Sequence, residues 1–470
     1  MAINRRQFVS STAAGLVTAS AALTGRRAAA APSSAQSRSN VAGANDRIRV
    51  GYIGVGGMGR AHLNNFQFFP ETQSVVVCDV WPFNVDRAVK MTANQRGGPA
   101  EGVKDFRRVL DRQDLDVVVI ATPDHWHAIP AVLACQAGKD VYVEKPISLN
   151  IREGRKMVDA ARAHKRIVQV GTQQRSGAHF KEAVQIVRDG KLGQVTRVAT
   201  WNYGAGNLQG IGNPPDGQPP DGLDYDFWLG PAPKRPFNDN RFIFNFRWFW
   251  DYAGGMMTDW GVHLIDIVQW AMNVDAPRAV TAVGAKYAIK DNRETPDTID
   301  AFLEYPTFIC SYSNRVLNGR SPNNRGYGIE FYGTEGTLFV DRAGYELTPE
   351  PVDPETPPAY WKAEMESVQK PLKPWERPRR TRAGRYPTLT AESSDQNISH
   401  IRNFYECLKS RQLPASDIEI GHRSSSACML ANLSLRTGRT VVWDAAKETI
   451  AGDAEASALL WREPRTPWTL

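Results

Sequence analysis

A glycine-rich turn directly after a short apolar run is the feature that most constrains this chain. The run at 48–53 is followed by Gly54-Val55-Gly56-Gly57-Met58-Gly59, which satisfies Gly-x-Gly-x-x-Gly at a strand-to-helix junction. In such a turn the first glycine permits the tight bend, the second lets the backbone approach a pyrophosphate, and the third permits close packing of helix on strand. The turn therefore predicts a dinucleotide site, with every residue of the turn except Val55 assigned to the cofactor.

An acidic residue stands where a nicotinamide cofactor needs one. Asp79 follows the second apolar run, at 74–78, and lies 20 residues after Gly59, the separation at which a carboxylate reaches the ribose hydroxyls of NAD. A carboxylate there repels the additional phosphate of NADP, so NAD is the expected cofactor. NADP remains an alternative cofactor, because Arg87 on the following helix could bind its additional phosphate. An ordinary strand-end carboxylate is the alternative interpretation of Asp79.

Further apolar runs at 117–121, 141–143 and 167–170 alternate with amphipathic stretches. Short β-rich runs separated by helical patterns predict a parallel α/β domain of the Rossmann type, which we place at 47–171. Candidate cofactor residues stand where two of these runs end, at the edge where dinucleotides bind; they are Thr122, Pro123, His127, Glu144 and Lys145. His127 fits a packing role as well as a cofactor contact.

The remainder, 172–470, is predicted to be a second α/β domain. It opens with a helix at 178–188 and a strand at 195–202, and an irregular insertion rich in glycine, proline and aromatics occupies 204–252. A helix at 256–272 precedes a succession of strands, at 280–288, 298–305, 308–314, 328–332 and 337–340. Strands in succession predict an open, mostly antiparallel sheet. A loop at 349–387 and helices at 394–408 and 420–437 follow.

The N-terminus has the layout of a targeting segment. Arg5-Arg6 precedes a mildly apolar stretch and a run of alanines, which predicts a twin-arginine signal peptide at 1–31 and a flexible arm at 32–46. Export to the periplasm by the twin-arginine translocase is therefore expected. Without the four arginines of this segment the net charge falls from +7 to +3. Because no basic cluster stands elsewhere, no nucleic acid partner is expected, and no apolar run is long enough to predict a membrane span.

Five scattered cysteines show no zinc-ligand spacing, so no metal is expected.

Several segments together resemble the Gfo/Idh/MocA family of oxidoreductases. They are the glycine turn, Thr122-Pro123-Asp124-His125-Trp126-His127, Glu144-Lys145-Pro146, and the stretch 254–263 with its Asp-x-x-x-His pair. The resemblance implies a Rossmann domain and a second domain whose open sheet forms a substrate face and often an oligomer interface, so a homo-oligomer is expected. It also implies that the lysine lies beside nicotinamide and substrate and faces the Asp-His pair. Here those catalytic positions are Lys145, Asp259 and His263.

The same three residues suit hydride chemistry on a sugar hydroxyl. Asp259 and His263 are four apart on the predicted helix and share a face, so the carboxylate could fix the tautomer of the imidazole and raise its basicity. Lys145 supplies positive charge where an alkoxide develops. Taken alone, the Asp-His pair also fits a solvated helix face. Tyr203 and Arg247 are candidate substrate contacts.

These observations predict an NAD(P)-dependent oxidoreductase acting on a sugar or polyol. Exported relatives meet no free nicotinamide pool, so the cofactor is expected to stay tightly bound. A redox-neutral glycoside hydrolase or lyase that oxidises its sugar transiently is the alternative, and a non-catalytic nucleotide-binding protein is a third. The sugar, its oxidised carbon and the electron acceptor are left open.

Overall fold

The computed structural model describes residues 47–350 apart from 96 and 322–323, together with 360–369 and 387–470. The signal peptide predicted at 1–31 and the arm predicted at 32–46 lie outside the described residues, as does most of the loop predicted at 349–387.

A six-stranded parallel sheet forms the first domain. Its strands are β1 (Ile48–Ile53), β2 (Thr72–Cys78), β3 (Glu101–Val103), β4 (Val117–Ile120), β5 (Asp140–Val143) and β6 (Val168–Val170). Its helices are α1 (Gly57–Gln67), α2 (Pro82–Met91), α3 (Phe106–Leu110), α4 (Ala128–Gln136) and α5 (Ile151–Ala163). The strand order β3-β2-β1-β4-β5-β6 is that of a Rossmann domain. All four residues of β4 are buried, as expected for a strand covered by helices on both faces.

The second domain is built on a ten-stranded sheet. Its first elements are α6 (Ala178–Arg188), β7 (Val195–Tyr203), α7 (Tyr225–Leu229), α8 (Gly255–Asp259), α9 (Gly261–Met272), β8 (Ala279–Ala285), β9 (Thr298–Glu304), β10 (Ile309–Arg315), β11 (Tyr327–Gly333), β12 (Gly336–Asp341) and β13 (Gly344–Pro349). The later elements are α10 (Tyr360–Gln369), β14 (Leu389–Glu392), α11 (Gln396–Ser410), α12 (Ile418–Thr437), β15 (Val441–Asp444), β16 (Thr449–Ile450) and α13 (Ala454–Ala458).

This sheet is mostly antiparallel, as predicted. Its order is β14-β13-β12-β11-β7-β10-β9-β8-β15-β16, and among the described strands β7 and β10 are its one parallel pair. Along β9 the residues Ile299, Ala301 and Leu303 are buried and share a core with residues of α6, α9 and α12. The intervening Asp300 and Phe302 are exposed. One face of the sheet is thus covered by helices and the other carries alternating exposed side chains.

Three details differ from the sequence predictions. The helix predicted at 256–272 is two helices, α8 and α9, which are separated at Trp260. Helix α10 lies inside the predicted loop. Strands β3, β13, β14, β15 and β16 were not predicted. Strand β3 is short with two of its three residues exposed, so it has no apolar run to signal it. In the described parts of the chain, no helix has the length and apolar character that crossing a bilayer requires.

Candidate active site

A cavity of about 560 Å3 opens at the carboxyl ends of β1, β2, β4 and β5 and continues to α8 and α9 of the second domain. Strand order reverses between β1 and β4, which is where ligands bind in open α/β sheets. Nearly all predicted cofactor residues line the cavity; they are Gly54, Gly56, Gly57, Met58, Asp79, Thr122, Pro123, His127, Glu144 and Lys145. The predicted catalytic residues Asp259 and His263 line it as well.

The glycines of the turn serve two purposes. Gly54 has φ +81°, and a Cβ on Gly59 would lie 1.9 Å from the carbonyl oxygen of Gly54. Gly59 does not line the cavity, and its lack of a side chain allows α1 to pack on the turn, so its assignment to the cofactor stays a prediction. A Cβ on Gly56 or Gly57 would meet no protein atom within 4 Å. The backbone there is open to the cavity, which leaves room for a ligand to approach it.

The residues around the glycine turn and the N-terminus of α1 fit the pyrophosphate of a dinucleotide. Helix α1 begins at Gly57 with Gly56 as its N-cap, so no side chain caps it, and its first turn contains no acid. Uncapped amide groups and the helix dipole favour an anion at such a terminus. Close by, Oγ1 of Thr122 is buried without a hydrogen-bond partner among the described residues. A bound dinucleotide would offer that hydroxyl a partner.

Asp79 holds the turn at the end of β2. Its Oδ2 accepts a hydrogen bond from the Val55 amide at 3.1 Å and its Oδ1 accepts one from the Trp81 amide at 3.0 Å. Burial raises the pKa of Asp79, against the hydrogen bonds that lower it. Because Asp79 also lines the cavity, it fits the predicted contact with a ribose.

Lys145 and Asp259 form an ion pair across the cavity. Nζ of Lys145 donates to Oδ1 of Asp259 at 2.7 Å and to the Asp259 carbonyl oxygen at 2.9 Å. Nε of Arg247 lies 3.3 Å from the other carboxylate oxygen, Oδ2. Burial alone would lower the pKa of Lys145, but the carboxylates of Asp259 and Glu144 outweigh it and the pKa is raised. Likewise burial would raise the pKa of Asp259, yet Lys145 and Arg247 hold it well below its usual range. Both groups are therefore charged.

His263 is neutral and is not oriented by Asp259. Among the described residues Nδ1 of His263 has no hydrogen-bond partner, and the Asp259 carboxylate is engaged by Lys145 and Arg247. The prediction that Asp259 fixes the tautomer of His263 was wrong because the helix breaks at Trp260. Burial, with Lys145 and Arg342 adding to it, lowers the pKa of His263 well below its usual value. A neutral imidazole in this cavity can accept a proton.

Glu144, which precedes Lys145, is held by hydrogen bonds from two neighbouring side chains. Its Oε1 receives hydrogen bonds from Nε2 of His62 at 2.8 Å and Nε2 of Gln173 at 3.1 Å. Burial would raise the pKa of Glu144, but His62 outweighs it and the pKa falls to about 2. His62 lies on α1 and was not anticipated, since a lone histidine in an amphipathic pattern carries no distinctive signal.

His127 connects two loops. Its Nδ1 lies 2.7 Å from the carbonyl oxygen of Pro146 and its Nε2 lies 2.8 Å from that of Thr122. Both ring nitrogens are thus occupied by the backbone, which favours the packing role for His127, although the residue also borders the cavity.

Of the two predicted substrate contacts, Arg247 reaches the cavity and Tyr203 does not. Tyr203 ends β7, where the guanidinium of Arg315 stacks on its ring at 3.8 Å from the centroid. The ring packs against Arg315 of β10 and does not line the cavity, so the assignment of Tyr203 as a substrate contact stays a prediction that the cavity does not support.

Three charged residues of the cavity were missed, and they are Lys104, Asp124 and Arg342. Asp124 was quoted only within a motif, and its carboxyl lines the cavity beside the Lys145–Asp259 pair. Burial, opposed by Lys145 and reinforced by Asp259, raises the pKa of Asp124 to about 7. Arg342 follows β12 of the second sheet and reaches the cavity from the turn between β12 and β13. Its position in a turn, with no motif around it, gave no sequence signal.

No group of three potential metal ligands is found among the described residues.

Two family models match this chain. The first, described as the oxidoreductase family with an NAD-binding Rossmann fold, matches residues 48–172. The second, described as the oxidoreductase family C-terminal alpha/beta domain, matches residues 177–330 and 387–470. The first domain is thus an NAD-binding Rossmann domain, and the predicted cofactor is confirmed.

Curated relatives match over a shorter stretch. The glycosyl hydrolase family 109 protein 1 of Shewanella sp. strain MR-4 is 32% identical over 203 residues, which are 41% of this chain and 44% of the relative. The alpha-N-acetylgalactosaminidase of Shewanella oneidensis shows the same identity and coverage. The match therefore spans less than half the length of these relatives.

Solved structures match over most of the chain. The aldose-aldose oxidoreductase of Caulobacter crescentus is 18% identical, with a TM-score of 0.60 and coverage of 84% of this chain and 99% of the other. The WlbA dehydrogenase of Bordetella pertussis, solved with NADH and UDP-GlcNAcA, is 20% identical, with a TM-score of 0.59 and coverage of 84% and 97%. At these identities the similarity shows the fold alone.

Proposed function

Because the chain belongs to the Gfo/Idh/MocA oxidoreductase family, we propose that it moves a hydride between a hydroxyl-bearing carbon of a sugar or polyol and nicotinamide. The observation that carries this proposal is the ion pair of Lys145 and Asp259, which shares a cavity with the glycine turn and a neutral His263. A protein that only binds nucleotide needs no such group beside the cofactor.

At the cofactor end of the cavity, backbone groups and short side chains would bind the dinucleotide. Gly56 and Gly57 would hold the pyrophosphate, Asp79 the ribose and Thr122 a further polar contact. When bound, NAD supplies the acceptor and later the donor of the hydride.

The chain's own residues then handle the proton and the charge. The Lys145 ammonium, held by Asp259, donates to the substrate hydroxyl oxygen and stabilises the negative charge that grows there. His263, held neutral by burial, takes the hydroxyl proton and returns it in the reverse direction. Arg247 keeps the Asp259 carboxylate ionised and in place. The aromatic walls of the cavity, Trp228, Phe244 and Trp260, limit the access of water.

A second candidate is redox-neutral cleavage of a glycoside, in which the hydride is returned to the product. Two observations favour keeping it. The curated relatives carry glycosyl hydrolase names, and Asp124, with its pKa raised to about 7, can hold a proton for a leaving group near neutral pH.

Export, tight cofactor binding and self-association complete the proposal. The Arg5-Arg6 pair and the alanine run support secretion to the periplasm by the twin-arginine translocase. A cofactor carried out with the folded protein must stay bound, so protein purified without added nucleotide should contain it. The exposed Val283, Phe302 and Ile309 on the uncovered face of the second sheet support a homo-oligomer, which light scattering would test.

The decisive experiment follows the near-ultraviolet absorbance of reduced nicotinamide when NAD-loaded protein meets a panel of sugars and glycosides. A lasting stoichiometric rise that a second carbonyl compound reverses would support the oxidoreductase. Steady release of cleaved product without a lasting rise would support the redox-neutral reaction. If neither occurs with any member of a broad panel, the catalytic proposal fails.

A further inference from the structure

Arg342 lines the cavity and is held there by contacts with two aromatic residues. It lies in the turn between β12 and β13, and its backbone amide donates to the hydroxyl of Tyr327 at 2.9 Å. Its guanidinium carbon lies 4.7 Å from the centroid of the Trp260 ring, and Trp260 in turn contacts Tyr327 with ring centroids 5.1 Å apart. A guanidinium stacked on an aromatic face loses little further freedom when it binds a ligand.

The guanidinium has no acidic partner of its own. Nε of Arg342 is buried without a hydrogen-bond partner, and among the described residues no carboxylate forms an ion pair with this side chain. Burial lowers the pKa of Arg342, but an arginine remains protonated at neutral pH. A half-buried cation whose Nε has no hydrogen-bond partner is partly desolvated without compensation, and that cost falls when an anion binds.

The carboxylates nearest to Arg342 already bind other side chains. Asp259 is shared by Lys145 and Arg247, and Glu144 receives hydrogen bonds from His62 and Gln173. Asp124 is the third acid at this end, and burial raises its pKa to about 7. Among the described residues, none of these three carboxyl groups forms an ion pair with Arg342.

The phosphates of the cofactor are not the missing anion. The glycine turn and the N-terminus of α1 provide for them at the other end of the cavity. Besides Tyr327, the groups that interact electrostatically with Arg342 are Glu144, Asp259 and His263, which belong to the catalytic end. An anion at Arg342 would thus belong to the substrate.

We propose that Arg342 recognises an anionic group on the substrate, so that this site takes sugars that carry a carboxylate or a phosphate in preference to neutral ones. The inference rests on the proposed function, because it takes the cavity to be a sugar site. The planar guanidinium matches both anions, and a charge-assisted pair here would give the half-buried guanidinium the acidic partner that it lacks.

The test measures binding rather than turnover. Protein loaded with NADH, which cannot oxidise these ligands, is titrated calorimetrically with glucose, glucuronate and glucose 6-phosphate, and with galactose and galacturonate. We expect at least one anionic sugar to bind about 10- to 100-fold more tightly than its neutral counterpart, the range of a charge-assisted hydrogen bond. A preference for the uronates would assign a carboxylate, and a preference for glucose 6-phosphate would assign a phosphate.

Three variants assign that preference to the residue. Arg342→Gln should abolish the advantage of the anion and leave the affinity for the neutral sugar within about twofold, whereas Arg342→Lys should keep part of the advantage. Arg197→Gln, an exposed arginine of β7 that does not line the cavity, should behave as the unaltered protein. Thermal unfolding shows whether each variant is folded. If Arg342→Gln does not fold, the test relies on whether Arg342→Lys reduces the advantage of the anionic sugar.

The inference is overturned if no anionic sugar binds more tightly than its neutral counterpart, or if Arg342→Gln weakens neutral and anionic sugars equally. Nicotinamide reduction by neutral sugars with no anion preference would overturn this inference alone. An intact anion preference with no reduction by any sugar would overturn the proposed function alone.

Discussion

Nζ of Lys145 lies 2.7 Å from Oδ1 of Asp259, and this contact joins the two domains at the catalytic end of the cavity. Lys145 follows β5 of the Rossmann sheet, and Asp259 ends α8 of the second domain. Each charge is sustained by the other in a place where burial opposes both. The pair therefore connects the Rossmann sheet to the second domain at the place where we propose that the substrate reacts.

Lys145→Met should remove turnover while leaving the cofactor site intact. The substitution keeps the length of the side chain but removes the charge that stabilises the developing alkoxide, so we expect turnover to fall about 100- to 1000-fold. NAD affinity, measured by fluorescence titration, should change little because the pyrophosphate end is untouched. Lys90→Met, on the exposed side of α2, is the matched control. A Lys145→Met protein with normal turnover would remove Lys145 from the mechanism.

Asp259→Asn should lower the pKa of Lys145. The Asp259 carboxylate is the main group that raises this pKa against burial, so without it burial acts with less opposition. The lysine should then lose its proton at a lower pH, and the alkaline limb of the pH–rate profile should move toward neutral. Labelling of Lys145 by an amine-specific reagent, read by mass spectrometry across pH, should move the same way. Unchanged profiles would mean that the pair does not control the lysine.

Asp124→Asn should reduce the loss of stability that the protein shows as the pH rises from about 4 to 7. The unfolded chain releases the Asp124 proton near pH 4, whereas burial keeps it on the folded protein until about pH 7. Since the folded state binds the extra proton, this group's contribution to stability is lost as pH rises from about 4 to 7. The melting temperature of Asp124→Asn relative to the unaltered protein should therefore rise over this interval and level off above it. Asp86→Asn, at an exposed position on α2, should show no such trend.

Gly59→Ala and Gly56→Ala should fail in different ways. A Cβ on Gly59 would collide with the carbonyl oxygen of Gly54, so α1 would have to move and the melting temperature should drop. At Gly56 a Cβ meets no protein atom and instead enters the cavity. Gly56→Ala should therefore melt normally and bind NAD more weakly, as measured by calorimetry. Normal NAD affinity in Gly56→Ala would place the pyrophosphate elsewhere.

The Rossmann half of the molecule was predictable because its signals are local. The β1 run, the glycine turn and Asp79 lie close in sequence, and the predicted run at 48–53 coincides with β1. The catalytic contacts were only partly predictable, since they depend on how α8 and α9 separate at Trp260. In the structure Asp259 pairs with Lys145 and Arg247, and Nδ1 of His263 has no hydrogen-bond partner among the described residues.

Contacts that join distant segments had no sequence signal. Arg342 reaches the cavity through the register of β12 and β13, which is set by sheet pairing rather than by any local pattern. Tyr203 ends the predicted strand, but the placement of its ring against Arg315 follows from the parallel pairing of β7 with β10. In both cases tertiary packing, not composition, decides which side chain enters the cavity.

Hydride transfer from substrate carbon to nicotinamide is tested most directly by isotope transfer. NAD-loaded protein is incubated with glucose and glucuronate in which every carbon-bound hydrogen is deuterium, and the recovered cofactor is weighed by mass spectrometry. We expect deuterium in the nicotinamide of the unaltered protein and none with Lys145→Met. If the cofactor from the unaltered protein carries no deuterium after incubation with any sugar that is shown to bind in the cavity, hydride transfer at this site is contradicted.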